Sequence, residues 1–236
     1  CGVAISLIPN IVRHFVANEK EKLNNTFNKA IEIVLYTGIP LAILISIFSS
    51  TVWNVFYGQS HYGPLTMKVF IFVAIFASLE NVCSSSLQAM NKFKILYKSV
   101  FIGIIINTVL DAPMMILFYK LGIYPVYGAM VASMLGFGAI SVITFWSLKR
   151  DCGMSFKSIY KTFLKLLIPF TVMILVALGL KSFIVDDCSS RLMSIVYAII
   201  YFGVCLVIYF GITIKQGVFF DVLNDILPSR FKRRVK

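Results

Sequence analysis

The chain has 236 residues, 59% of them hydrophobic and only 14% charged, with a mean hydropathy of +0.88. A soluble domain is about 45–50% apolar and about 25% charged, so this composition excludes an ordinary soluble protein and indicates an integral membrane protein. The net charge of +12 would suggest nucleic acid in a soluble chain, but its distribution has another cause, given below, and no nucleic-acid partner is expected.

The sequence opens on Cys1 in mid-pattern and reads as a piece whose N-terminal part is missing, so no signal peptide can be sought. Residues 1–17 read as the end of a helix reaching a surface at Pro9, Asn10, Arg13 and His14, and the polar stretch 18–29 as a segment in water or at an interface. Six segments then follow that are long enough to span, over about 31–57, 65–89, 99–119, 126–148, 163–184 and 191–213, with a tail over 214–236. Their long apolar runs say helix, since none shows the alternation of a membrane β-barrel. The connections are short, which makes consecutive helices antiparallel neighbours.

Basic residues set the expected orientation. Only Lys68, Lys120, Lys181 and Arg191, of 22 Lys and Arg, fall on one side of the predicted spans; the others fall on the opposite side, which the positive-inside rule places in the cytoplasm with the C-terminus. Asp186 and Asp187 fall outside. The end FKRRVK is suited to anionic headgroups, so membrane lipids are expected partners. Aromatic residues gather at predicted interfaces, as at Trp53, Phe56, Tyr57 and Tyr62.

Three polar patterns lie inside the predicted spans. Asn107 and Asp111 are four apart and share a helix face. An ionised carboxylate in lipid is expensive, so an intramembrane Asp is a functional hypothesis by default. Pro113, which lacks an N–H for the Val109 carbonyl, follows within one turn; such a helix can hold a cation or a substrate group, or the Asp can simply tie the bundle together. Glu80, Ser84 and Gln88 recur every fourth residue and form one polar stripe, widened by Asn81 and Ser85, which suits a neighbouring helix or a watery passage. Gly128, Ala132 and Gly136, with Ala129 and Ser133, make small-xxx-small patterns whose first meaning is close helix packing; Ser133 alone of them also offers a ligand oxygen. Pro40 and Pro169 sit inside spans and predict kinks.

No catalytic set is legible. His14 and His61 fall on opposite sides of the predicted membrane, and no phosphate-binding loop or Ser/His/Asp layer is present, so no enzyme is expected. Cys1, Cys83, Cys152, Cys188 and Cys205 are scattered, without the spacing of a zinc site or a disulfide framework.

The order of features resembles the C-terminal half of a flippase of the multidrug/oligosaccharidyl-lipid/polysaccharide (MOP) superfamily. The matching residues are Leu7-Ile8-Pro9-Asn10, Gly38-Ile39-Pro40-Leu41-Ala42, Val55-Phe56-Tyr57-Gly58 and Leu87-Gln88-Ala89-Met90-Asn91-Lys92. The Asn107/Asp111 helix, Leu121-Gly122-Ile123 and Tyr127-Gly128-Ala129 complete the set. Within the superfamily the chain is most similar to the peptidoglycan-precursor and sporulation-type polysaccharide flippases. The resemblance implies an all-α integral membrane protein, this chain being the C-terminal lobe of a two-lobe, fourteen-helix transporter: six full transmembrane helices plus the end of one more. It implies alternating access for a lipid-linked sugar in the bacterial cytoplasmic membrane, with the missing N-terminal half as partner.

The resemblance further implies a coupling ion, Na+ or H+, and no other cofactor. Asn107 and Asp111, with Ser133 from the next helix, resemble the site of sodium-linked relatives, while Glu80, Ser84 and Gln88 would line the polar passage and Arg13 the cytoplasmic mouth. The family's cavity arginines lie mostly in the missing half, and nothing here replaces them in mid-membrane. A drug or metabolite exporter of the same superfamily and a non-transporting scaffold for cell-wall assembly remain open alternatives.

Overall fold

The computed structural model describes residues 2–183 and 191–223. Asp186, Asp187, Cys1, Cys188 and most of the basic tail, to which the sequence assigns sides of the membrane or isolated thiols, lie outside the described residues. Every regular element among the described residues is a helix: α1 (Gly2–Val16), α2 (Lys20–Ile47), α3 (Ser49–Tyr57), α4 (Tyr62–Ala89), α5 (Phe93–Lys120), α6 (Val126–Cys152), α7 (Lys157–Phe183), α8 (Arg191–Lys215) and α9 (Val218–Leu223). Six of them, α2 and α4 to α8, are long and apolar enough to cross a membrane, which is the all-α architecture and span number expected.

The first span differs from its predicted limits. Residues 18–29, expected in water or at an interface, mostly form the opening turns of α2: Leu23, Phe27 and Asn28 are buried on one face, while Lys20, Glu21, Lys22 and Asn25 stay exposed. The segment expected over 31–57 is interrupted at Phe48, where neither Gly nor Pro occurs. The hydrogen-bond ladder nonetheless continues through the interruption, from Phe48 N–H to Leu44 O (2.9 Å) and from Val52 N–H to Phe48 O (3.0 Å). The Phe48 ring stacks on Tyr201 at 4.4 Å, so tertiary packing accompanies this kink, and local sequence does not announce it.

The chain divides into two compact units, 1–34 with 68–156, and 35–67 with 157–236. In the first, α5 and α6 pair along their length. A Cβ added at Gly136 would stand 2.9 Å from the Asn107 Cβ and 3.0 Å from the Gly103 carbonyl oxygen, and one at Gly128 would strike the Met114 backbone. The small-xxx-small residues therefore pack helices, as expected. These three approaches define an antiparallel register that sets Asp111 level with the turn 128–132. Elsewhere in this unit, Phe27 meets Phe145 at 5.9 Å and Phe156 at 6.0 Å. Asn24 and Asn28 grip the turn after α6 from both sides: Ser155 N–H donates to Asn24 Oδ1 (3.0 Å), and Asn28 Nδ2 donates to Ser155 O (2.7 Å). Gly153, at φ +65°, ends α6 in the left-handed conformation that glycine adopts without strain.

In the second unit, the later part of α2 and α3 lie against α8. Pro40 cannot donate to the carbonyl of Tyr36. The hydroxyl of Tyr209 does so instead, at 2.8 Å, while the Tyr36 hydroxyl pairs with Thr213 Oγ1 at 2.9 Å. The carbonyl that Pro40 frees is thus satisfied inside the unit. Further along, Asn54 Nδ2 donates to Ser194 Oγ (2.8 Å), and Lys181 Nζ donates to the Ile47 carbonyl (3.0 Å).

Candidate functional site

The candidate residues belong to the first unit. Asn107 and Asp111 project from one face of α5 and are both partly buried. Asn107 lies against Gly136, where the missing side chain leaves its Cβ room. Pro113 and Val109 are on an exposed face; Val109 is 62% exposed. Ser133, partly buried on α6, stands within about a turn of the level of Asp111 in the α5/α6 register. No side-chain hydrogen bond joins Asn107, Asp111 and Ser133 to each other or to other described residues. Their oxygens thus retain bonding capacity. Carboxylate, amide and hydroxyl oxygens are the hard donors that suit an alkali or alkaline-earth cation.

The α4 stripe is partly drawn together. Ser84 Oγ donates to Glu80 Oε1 one turn away, both side chains being partly buried. Gln88 is exposed a further turn along. Beside this stripe the helix buries Val82, Cys83, Ser86 and Leu87, so Glu80 and Ser84 lie at the edge of the packed face. Asn81 turns back to its own helix and donates to Ala77 O at 2.9 Å.

Arg13 is exposed near the end of α1. Behind it, buried His14 bonds Glu19 Oε2 through Nδ1 at 2.7 Å, and Lys22 Nζ donates to Glu19 Oε1 at 2.8 Å. The Lys22 bond first, and the His14 bond second, hold the Glu19 carboxyl below its ordinary range. A cleft of about 250 Å³ adjoins this cluster, lined by His14, Phe15, Asn18, Lys20, Leu23, Lys92 and Asp151. Among the described residues, no group of three His, Cys, Asp or Glu side chains could hold a metal ion.

The family model described as "Lipid II flippase MurJ" matches residues 1–203, most of the chain. The chain belongs to the lipid II flippase MurJ family. A relative in Bacillus subtilis (strain 168), described as "Lipid II flippase MurJ", is 26% identical over 236 residues; the match covers 97% of this chain and 42% of the relative. The chain therefore spans less than half the length of the curated relative it matches. The MurJ family is the peptidoglycan-precursor branch that the resemblance named. The match ends within α8, before the α9 turn.

Sequence reasoning missed one intramembrane acid in this MurJ-family lobe. Glu32 on α2 is 1% exposed, and its Oε2 lies 3.5 Å from Lys29 Nζ. It continues the four-residue ladder of Asn24 and Asn28. That period was the available signal, and it was hidden because 18–29 reads as loop and 31–57 as a separate span.

Proposed function

We propose that the protein moves a lipid-linked peptidoglycan precursor across the bacterial cytoplasmic membrane by alternating access, with this chain as one lobe. Membership in the MurJ family carries the reading. The site chemistry supports it. A sugar headgroup crossing hydrocarbon needs a polar path, and the Glu80/Ser84/Gln88 edge of α4 leaves polar atoms beside a packed face rather than within it. In this reading the basic loops and the C-terminus are cytoplasmic, and Arg13 with the adjoining cleft lies at the inner mouth.

Coupling belongs to the same proposal. Asn107 and Asp111, with Ser133 near their level, offer oxygen donors whose bonding capacity this lobe leaves unused, and a sodium ion or a proton at Asp111 would bias one state of the cycle. The test is complementation by the full-length protein in bacteria depleted of their own lipid II flippase. Rescue of growth is expected, with Asp111→Asn weakening the sodium dependence of flipping. Failure to rescue, with inserted and abundant protein, refutes the cargo and leaves drug export to be assayed. Rescue with unchanged sodium dependence in Asp111→Asn refutes the coupling role alone.

A further inference from the structure

The second unit carries a feature that lies outside the proposed polar path. A groove of about 410 Å³ lies between the α2/α3 segment and α8, lined by Ile45, Val52, Val55, Phe56, Ile195, Ala198, Ile199 and Phe202. Every lining side chain is apolar. Along the α2/α3 wall it runs from Ile45 to Phe56, roughly 17 Å at about 1.5 Å per residue. That is close to one leaflet, half of a hydrocarbon core of about 30 Å.

One end of the groove is charged. Arg191 stands one turn before Ile195 on α8, and its guanidinium lies over Gly58, two residues beyond Phe56. A Cβ added at Gly58 would meet Arg191 Nη2 at 3.2 Å and Nε at 3.7 Å, and the φ of +81° at Gly58 favours glycine there. Among the described residues Arg191 has no ion pair or hydrogen bond. Trp53 and Tyr57, with rings 4.5 Å apart, stand at the same end and mark an interfacial depth. A guanidinium is weakly hydrated and presents a planar fork of donors that matches phosphate oxygens.

We infer that this groove is a binding site for a membrane glycerophospholipid, one acyl chain lying between α3 and α8 and the phosphate on Arg191. The occupant is a bilayer lipid because an all-apolar lining one leaflet deep, capped by a single cation at interface depth, matches the two ends of such a lipid. The groove offers no donor or acceptor to a sugar.

The test reconstitutes the full-length protein in vesicles containing phosphatidylglycerol with a photoreactive group on one acyl chain, and maps the adducts by mass spectrometry. Adducts are expected at Val52, Val55, Ile195 and Ile199 in excess over Val207, a control outside the groove on α8 that is 72% exposed. Arg191→Gln removes the charge-assisted bonds and should cut groove labelling about tenfold, and Arg191→Lys should retain part of it. Ala198→Phe fills the groove and should abolish labelling there with the Val207 signal unchanged. Equal labelling of groove and control, or groove labelling indifferent to both Arg191→Gln and Ala198→Phe, would overturn the site. Displacement of the label by polyprenyl phosphate but not by unlabelled phosphatidylglycerol would overturn the choice of occupant.

Discussion

Tyr209→Phe isolates the contribution of one hydroxyl to a proline-containing helix. The ring remains, and so do its contacts with Phe170 (5.8 Å) and Tyr36 (5.5 Å). The only bond removed is the 2.8 Å donation to the Tyr36 carbonyl, which Pro40 has deprived of its helical partner. A buried carbonyl left unpaired costs about 1–3 kcal/mol in protein interiors. Hydrogen bonds between membrane helices average nearer 0.6 kcal/mol, with an upper value of about 1.7, because the unfolded helices also find partners. Here the carbonyl faces a buried side chain, so the expected loss is about 1–1.5 kcal/mol.

The decisive comparison is a double-mutant cycle with Pro40→Ala. Alanine restores an N–H to the Tyr36 carbonyl, so Tyr209→Phe should cost much less in that background, with a coupling of about 1 kcal/mol. Thermal unfolding of the full-length protein in detergent reads this as a drop in Tm for Tyr209→Phe and a much smaller drop for the second pair. Equal drops in both backgrounds would refute the role of the proline.

Other substitutions probe the first unit. Gly128→Val should separate α5 from α6, because its Cβ would strike the Met114 backbone and neither helix can yield cheaply; loss of folded protein in size-exclusion chromatography is the readout, and normal yield would count against the packing. Asn28→Ala removes the donor to Ser155 O and should raise hydrogen exchange and proteolysis at residues 153–156, at a cost of about 1–2 kcal/mol. Glu19 has a depressed pKa in the folded state, so its contribution is present above the ordinary glutamate range and is lost as pH falls through the lowered value. The stability difference between wild type and Glu19→Gln should therefore vanish on acidification, and a difference that grows on acidification would refute the assignment.

The spans were legible because hydropathy and length are one-dimensional quantities, and the α5/α6 packing was legible because small residues at fourfold spacing have few other uses. The kink at Phe48 was not. It is accompanied by Tyr201, some 150 residues along the chain, and no local residue marks it. Glu32 was overlooked for a related reason. The opening of α2 is polar on one face and apolar on the other, so a hydropathy window averages Leu23 and Phe27 against their charged neighbours and misses the buried ladder. Pro40 was recognised as a source of a free carbonyl, but its partner could be found only in three dimensions.

That partner separates two classes of polar residue in this lobe. Asn24, Asn28, Tyr36 and Asn54 each hold a backbone or side-chain group within their own unit. The side chains of Asn107, Asp111 and Gln88 bond none of the described residues. In hydrocarbon an unpaired amide costs several kcal/mol and a lone carboxylate at least a few. Polar groups left unused at that depth are stable only against water, an ion, a polar cargo or another part of the protein. Asn107 and Asp111, whose side chains bond no described residue, differ in this from Asn24 and Asn28, which hold the turn after α6.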